Sequence, residues 1–219
     1  MYKDTLRPAW AEINLAHAAF NIQNIRKKVG EDREIIGVIK ADGYGHGAVE
    51  MAGVLKENGV KTFAVATLHE AIALRESGID EEIVILTLTP DMYANIIAKY
   101  AVTPVVNSLS NAKAISAAAC EGNKIIHGYV AVDTGMGRIG YLPDDPKAIE
   151  EIRSMTALEG FRPKGLLSHF ATADEKDKSF AREQEKRFNS FYQGLLDEGI
   201  ELPGRTFAVV NSGCGSGKT

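Results

Sequence analysis

Lys40 stands where a buried strand is predicted to end, and that position needs an explanation. It follows an apolar run and precedes a glycine-rich turn in the stretch VIKADGYGHG, residues 38–47. A partly desolvated lysine loses proton affinity, and its neutral amine can form a Schiff base with an aldehyde. The plain alternative is a strand-end lysine whose amine reaches solvent, as lysines commonly do. The residue is therefore a candidate nucleophile.

The glycine-rich turn after Lys40 has the character of an anion site. Glycine lets a backbone turn tightly and approach a ligand, and the helix that follows would offer free N–H groups. Tyr44, inside this turn, can donate a hydrogen bond to a phosphate oxygen. An ordinary connection between a strand and a helix has a similar composition, so the turn alone is a weak signal.

Other stretches place polar residues directly after apolar runs. Arg138 lies among three glycines in VDTGMGRIG, residues 132–140, and His169 ends PKGLLSH. Asn211 and Ser212 follow the last apolar run. An arginine can bind a carboxylate or a phenolate in fixed geometry, and a histidine can handle protons. The competing interpretations are a surface arginine and a structural histidine.

The elements that must position these residues alternate along the chain. Seven short apolar runs are typical of strands buried on both faces. They are residues 34–40, 62–67, 82–88, 103–106, 124–133, 163–169 and 206–211. Helical patterns lie between them, the longest over residues 179–199, and Thr89 with Pro90 predicts the start of the helix after the third run.

This alternation implies parallel strands joined by crossover helices, which is an α/β fold. The spacing favours a (β/α)8 TIM-type barrel over a doubly wound sheet. Active sites of such barrels lie at the carboxyl ends of the strands, so the candidate residues would share one mouth. Seven strands are one short of a closed barrel, and we expect the sheet to keep two open edges.

Composition excludes several classes of protein. The chain has 219 residues, 45% of them apolar, which suffices for one large domain. The net charge of −4 and the lack of a basic cluster argue against nucleic acid. The polar start and the absence of a membrane-length apolar run predict a cytoplasmic protein with no membrane partner. Cys120 and Cys214 are too few for a disulfide framework or a cysteine zinc site, and we predict no metal.

The end of the chain, GCGSGKT, superficially resembles a phosphate-binding P-loop. That motif needs a glycine where Ser212 stands and a helix after Gly217-Lys218-Thr219. Both requirements fail, so we do not predict a nucleotide-binding module.

Taken together, the motifs resemble those of the alanine racemase family. VIKADGYGHG is similar to that family's cofactor-lysine motif, and VDTGMGRIG, SHFATAD and the Asn-Ser pair at 211–212 follow in the family's order and spacing. The resemblance implies a barrel that binds pyridoxal 5'-phosphate (PLP), a second, β-rich C-terminal domain and a head-to-tail homodimer. Residues 1–219 would then be the PLP-binding α/β barrel domain, lacking the last strand and the C-terminal domain.

The resemblance also implies roles for individual residues. Lys40 corresponds to the lysine that holds PLP covalently and serves as one of two catalytic bases. Tyr44 and Ser212 correspond to residues that bind the cofactor's phosphate, and Asn211 to a positioning residue beside the cofactor.

Two further correspondences concern the cofactor's ring. Arg138 resembles the arginine near the phenolic oxygen, and His169 resembles the histidine beside the ring. Ala131 departs from the family, because many members have there a lysine that supports the arginine corresponding to Arg138.

The activity that the resemblance implies is interconversion of L- and D-alanine, which supplies D-alanine for peptidoglycan. In the family the second base is a tyrosine from the partner's C-terminal domain, so we expect this chain alone to bind PLP weakly and to have little activity. A non-catalytic PLP-binding barrel protein and a serine racemase of the same family are the alternatives.

Overall fold

The computed structural model describes residues 10–208, with the backbone alone for residues 205–208. Helices and strands alternate along almost all of this range. The helices are α1 (Leu15–Val29), α2 (Lys40–Gly45), α3 (Ala48–Glu57), α4 (Leu68–Glu76), α5 (Ala94–Tyr100), α6 (Leu109–Glu121), α7 (Pro146–Thr156) and α8 (Ser179–Asp197). The strands are β1 (Ile36–Val38), β2 (Thr62–Val65), β3 (Glu82–Ile85), β4 (Thr103–Val106), β5 (Ile126–Ala131), β6 (Phe161–His169) and β7 (Gly204–Ala208).

The seven strands form one sheet in chain order, β1 to β7, and every strand is parallel to its neighbours. All seven predicted strands are confirmed, and the order is that of a (β/α) barrel. Within residues 10–208 no pairing joins β1 to β7, so the barrel is not closed in this part of the chain.

The sheet separates two apolar clusters. The larger cluster lies between the sheet and the surrounding helices and includes Phe63, Ile85 and Phe161. The smaller cluster fills the concave side of the sheet and includes Ala64, Tyr129 and further residues of the inner strand faces. Because successive strand residues point to opposite sides, neighbours such as Phe63 and Ala64 fall in different clusters.

An ion pair across the concave side shows how strongly the sheet curves. The Nζ atom of Lys164 on β6 lies 2.7 Å from Oε2 of Glu82 on β3. Two strands lie between β3 and β6, and three strand spacings in a flat sheet would separate them by about 14 Å. The contact therefore requires the sheet to curl into a barrel wall.

Side-chain caps fix the starts of several helices near the carboxyl ends of the strands. Thr67 and Glu70 form a reciprocal capping box at the start of α4. Ser108 caps α6 by accepting the N–H of Asn111, and Asp145 caps α7. These caps satisfy backbone donors that the first helical turn leaves free.

The predicted helix start at Thr89 and Pro90 is wrong in detail. Pro90 is extended, and a 3₁₀ turn over Asp91–Tyr93 precedes α5. Asp91 instead accepts a hydrogen bond from the Asn111 side chain, which links this turn to α6. Within the described residues, none of the helices combines the length and the apolar composition that a bilayer crossing requires.

Candidate active site

A cavity of about 420 Å³ opens at the carboxyl ends of the strands. Its lining includes Lys40, Arg138 and His169, which come from three separate stretches of the sequence. Apolar side chains such as Leu86 and Leu167 form its floor. The structure thus brings together three of the residues that the sequence singles out, at the end of the barrel where they were expected.

Lys40 reaches the cavity from the end of β1. The prediction that the strand runs to Lys40 is wrong, because β1 ends at Val38. The backbone N–H of Ile39 still donates to the carbonyl of Ala64 at 2.9 Å, which carries the pairing one residue further. Side chains alternate along a strand, so the half-buried Lys40 lies on the same concave side as Val38.

The chain turns sharply at Lys40 into a left-handed turn, α2. Ala41, Asp42, Gly43 and Tyr44 all have φ between 51° and 61°. A non-glycine residue in this conformation costs about 1–2 kcal/mol. A Cβ atom at Gly43 would also lie 3.3 Å from Cγ of Met51, so glycine fits the close approach of α3 there.

Tyr44 lies beside Lys40 but outside the residues that line the cavity. The Lys40 Nζ is 5.9 Å from the centre of the Tyr44 ring. Partial burial raises the pKa of the Tyr44 hydroxyl, which therefore stays protonated and able to donate a hydrogen bond at neutral pH. This position is compatible with the predicted role in phosphate binding.

The loop that carries Arg138 is organised by Asp133. Its carboxylate accepts the backbone N–H groups of Gly135, Gly137 and Arg138 at 2.9, 3.0 and 2.8 Å. Burial raises the pKa of Asp133, but these hydrogen bonds outweigh burial and leave the pKa below its usual value. The carboxylate is therefore ionised at neutral pH and holds the loop in place.

Two backbone hydrogen bonds close the base of the Arg138 loop. Tyr141 donates to the carbonyl of Ala131, and its own carbonyl accepts from the N–H of Asp133, each at 2.9 Å. A Cβ atom at Gly140 would lie 2.6 Å from the nitrogen of Asp133, so the loop closes only because this residue is glycine. Ala131 contributes only a methyl group to the cavity, so Arg138 is placed through the backbone of its loop rather than by a lysine at residue 131.

His169 is the last residue of β6, as predicted. Burial lowers the pKa of its imidazole, and the positive charges of Arg138 and Lys40 lower it further. A neutral imidazole can accept a hydrogen bond at one nitrogen and donate one at the other.

Gln184 on α8 fixes the backbone around His169. This side chain is fully buried, and its amide donates to the His169 carbonyl at 3.0 Å and to Oγ1 of Thr134 at 3.2 Å. Its oxygen accepts the N–H of Ala171 at 2.9 Å. Thr134 directly follows Asp133, so Gln184 ties the end of β6 to the loop that carries Arg138.

Asn211 and Ser212 lie outside the described residues, so their predicted roles stay predictions. Sequence reasoning did not assign roles to Asp133, Gln184 or Glu70. An aspartate before glycines is a turn signal, and Thr67-x-x-Glu70 is a capping-box pattern. These signals indicate local hydrogen bonds, whereas nothing local marks the buried glutamine on α8.

The donor set of the cavity fits PLP. The cofactor has an aldehyde that an amine at the position of Lys40 can hold, and a phenolic oxygen that suits the Arg138 guanidinium. The cavity volume of about 420 Å³ falls within the range usual for small-molecule sites. The neutral imidazole of His169 adds no further positive charge beside Lys40 and Arg138.

Comparison with known proteins identifies the family of the chain. Residues 13–216 match the family model described as alanine racemase, N-terminal domain. An alanine racemase of Clostridium kluyveri is 45% identical over 202 residues, which are 92% of this chain and 51% of that protein. The chain therefore spans about half the length of the curated relatives it matches.

Solved structures show the same similarity. The alanine racemase of Clostridium difficile 630 superposes with a TM-score of 0.89 at 38% identity, over 94% of this chain and 53% of that one. A histidine racemase from Leuconostoc mesenteroides superposes with a TM-score of 0.80 at 27% identity, over 89% of this chain and 51% of that one. By the match over residues 13–216, the chain belongs to the alanine racemase N-terminal domain family.

Proposed function

We propose that this chain is the PLP-binding barrel domain of an amino-acid racemase that interconverts L- and D-alanine. The observation that carries the proposal is the cavity at the barrel mouth, where Lys40, Arg138 and His169 meet. The names of the relatives favour alanine over serine and favour an enzyme over a non-catalytic carrier.

Each candidate residue would bind a different part of PLP. Lys40 would hold the aldehyde carbon covalently, and Arg138 would donate hydrogen bonds to the phenolic oxygen. His169 would lie beside the ring as a neutral group. Tyr44 and Ser212 would bind the phosphate, and Asn211 would position the cofactor.

Racemisation requires a proton to leave one face of the amino acid and another to arrive at the opposite face. The chemistry that PLP supplies when bound is electron withdrawal, which makes the α-hydrogen of the amino acid acidic. With PLP and the amino acid bound, the Lys40 Nζ would take or return a proton on one face of the amino acid. The opposite face needs a second base, which the family resemblance attributes to a partner subunit.

We also propose that the whole protein is a cytoplasmic homodimer. The dimer rests on the family resemblance, which attributes the second base to a partner subunit, and the cytoplasm is where the family is expected to work. A structurally similar protein is named a histidine racemase, so the barrel fold does not by itself specify alanine. The proposal of alanine as the substrate therefore rests on the names of the relatives.

The first test is an absorbance spectrum of the chain with PLP, before and after borohydride. We expect a band at about 420 nm that borohydride removes, leaving a label on Lys40. Lys40→Ala should give no band. Lys61→Ala is the matched control, because Lys61 is exposed and precedes the amino end of β2, at the opposite end of the barrel.

The result that would overturn the proposal is an absent band, or a band that Lys40→Ala leaves unchanged. A second measurement follows D-alanine formation from L-alanine. We expect weak turnover by the 219-residue chain, because it carries one of the two required bases. Full turnover by this chain would contradict the assignment of the second base to the partner's C-terminal domain.

A further inference from the structure

The left-handed turn after Lys40 is strained and must be held by other residues. Ala41, Asp42 and Tyr44 are non-glycine residues with φ of 51°, 53° and 56°. Such conformations persist only where the surrounding structure stabilises them. A relaxation at Ala41 would move the backbone of the neighbouring Lys40, so the contacts of Ala41 affect the position from which the Lys40 side chain starts. The inference below rests on the proposed function of Lys40.

One part of the support is local to the turn. The Asp42 side chain accepts the N–H of Ala48 at 2.9 Å, and the Asp42 carbonyl accepts the N–H of Gly47 at the same distance. These bonds join the turn to the start of α3. A third bond, from the N–H of Gly43 to the carbonyl of Ile39 at 2.9 Å, closes the turn around Lys40 and Ala41. None of these bonds uses the N–H of Ala41, the first strained residue, which is left to another group.

The group that holds Ala41 is Glu70, at the start of α4. Oε1 of Glu70 accepts the N–H of Ala41 at 2.6 Å, across 29 residues of sequence. Oε2 accepts the N–H groups of Ala66 and Thr67 at 2.7 and 2.8 Å. One carboxylate therefore ties the residue after Lys40 to Ala66 and Thr67, which directly follow β2. Ala66 also lines the cavity.

A capping box does not account for the contact with Ala41. In that motif the glutamate needs only the N–H of the capping residue, here Thr67, while the threonine hydroxyl accepts the N–H of Glu70. Glu70 meets this requirement with Oε2 alone. Oε1 is left to accept from Ala41, and a hydrogen bond to an ionised acceptor is stronger than one to a neutral acceptor.

We propose that Glu70 is a positioning residue for Lys40, because its carboxylate holds the strained backbone from which Lys40 projects into the cavity. The charge of Glu70 supports this role. Burial raises the pKa of Glu70, but the N–H groups of Ala41, Thr67 and Ala66 outweigh burial and leave the pKa below its usual value. The carboxylate thus remains an ionised acceptor at neutral pH.

The test compares variants of the 219-residue chain that separate the contact with Ala41 from the helix cap. Glu70→Ala removes both. Thr67→Ala is the matched control, because it removes the hydroxyl half of the capping box and leaves the carboxylate on Ala41. Glu70→Gln keeps the shape and one acceptor oxygen but loses the charge, and it keeps the test decisive if Glu70→Ala fails to fold.

Two readouts follow the turn and the lysine separately. The first is hydrogen exchange of the Ala41 amide, measured by NMR without PLP. We expect about tenfold faster exchange in Glu70→Ala, a smaller increase in Glu70→Gln and little change in Thr67→Ala. The second is the rate at which PLP and borohydride label Lys40, read by peptide mass spectrometry. We expect the labelling rate to fall most in Glu70→Ala, less in Glu70→Gln and little in Thr67→Ala.

The outcomes distinguish this inference from the proposed function. Equal Ala41 exchange and equal Lys40 labelling in Glu70→Ala and Thr67→Ala would overturn the role of Glu70 and leave the proposed function standing. No labelling of Lys40 in the unsubstituted chain would overturn the proposed function. In that case the exchange of Ala41 would still decide whether Glu70 holds the turn.

Discussion

The charges of Lys40 and Arg138 act on the imidazole of His169, which lies in the same cavity. The mouth holds two positive side chains and one imidazole that line the same cavity. Because like charges repel, the third group is stabilised in its neutral form. A neutral His169 beside the ring of the proposed cofactor can take part in hydrogen bonds. It would not compete for the anionic groups that Lys40 and Arg138 would bind.

This arrangement predicts the titration of His169. Burial, Arg138 and Lys40 lower the pKa of its imidazole, so NMR should show a pKa below the usual value of about 6.5. Arg138→Met and Lys40→Met should each raise the His169 pKa towards that value. Arg153→Met is the control, because Arg153 pairs with Glu198 rather than lining the cavity. An unchanged His169 pKa in Arg138→Met would contradict this account.

The lowered pKa of His169 also makes the stability of the fold depend on pH. The unfolded imidazole takes up its proton at higher pH than the folded one. His169 therefore lowers the stability of the fold as the pH falls below about 6.5, until the folded imidazole is protonated as well.

At the scale of elements, the site consists of loops whose backbones are held in place by a few buried or ionised side chains. Asp133 organises the loop from residue 133 to residue 140, Gln184 joins that loop to β6, and Glu70 holds α2. Each of these side chains accepts or donates several backbone hydrogen bonds. The strands bring the loops to one mouth, and these side chains then fix the loop conformations.

Asp133→Ala should release the Arg138 loop without disrupting the barrel. Losing hydrogen bonds from three N–H groups to an ionised carboxylate should lower the free energy of unfolding by about 1–2 kcal/mol, as measured in urea. Exchange of the Gly137 and Arg138 amides should quicken. Asp144→Ala is the matched control, because Asp144 is exposed and close in sequence. Equal effects of the two substitutions would show that Asp133 does not organise the loop.

Asp133 and Glu70 also predict how the loops respond to acid. Both have a pKa below the usual carboxyl value in the folded chain. Their stabilising contribution is therefore complete above the unfolded pKa of about 4, and it is lost as the pH falls through the lower folded values. Urea unfolding between pH 6 and pH 3 should show this loss, and Glu70→Gln should make the decline shallower. An unchanged pH dependence in Glu70→Gln would contradict the prediction.

At the scale of the whole molecule, side chains of separate strands meet across the concave side of the curved sheet. Lys164 and Glu82 have side chains that are only 28% and 25% exposed. Glu82 also accepts the hydroxyl of Thr103 at 2.9 Å, which adds a third strand to the contact. Burial lowers the pKa of Lys164, but its hydrogen bond and charge interaction with Glu82 outweigh burial and raise it. The Lys164 amine is therefore charged at neutral pH.

A double-mutant cycle on this pair should show strong coupling. Lys164→Met or Glu82→Gln alone leaves a partly buried group without its partner and should cost about 2 kcal/mol of unfolding free energy. The double variant should cost clearly less than the sum. The control cycle uses Arg153 and Glu198, with side chains 52% and 56% exposed, for which we expect about 0.5 kcal/mol or less. Equal coupling in the two cycles would contradict a special role for the cross-barrel pair.

Much of this architecture could be predicted from sequence because burial leaves a local pattern. Strands that are covered on both faces are short and continuously apolar, and all seven were located. Lys40, Arg138 and His169 could be singled out because each lies at or after the end of such a run, and parallel strands bring their carboxyl ends to the same edge. Element ends were less certain, as β1 and the start of α5 show.

The sequence by itself therefore determined the order of the elements, the end of the barrel that carries the site and the candidate residues there. Only the tertiary structure decided that Glu70 meets Ala41 across 29 residues and that Lys164 meets Glu82 across 82 residues. It also decided that the glycine-rich turn is left-handed. The physical reason is that apolar periodicity records which face of one element is buried. Contacts between separate loops depend instead on strand register and sheet curvature, which arise only when the elements pack together.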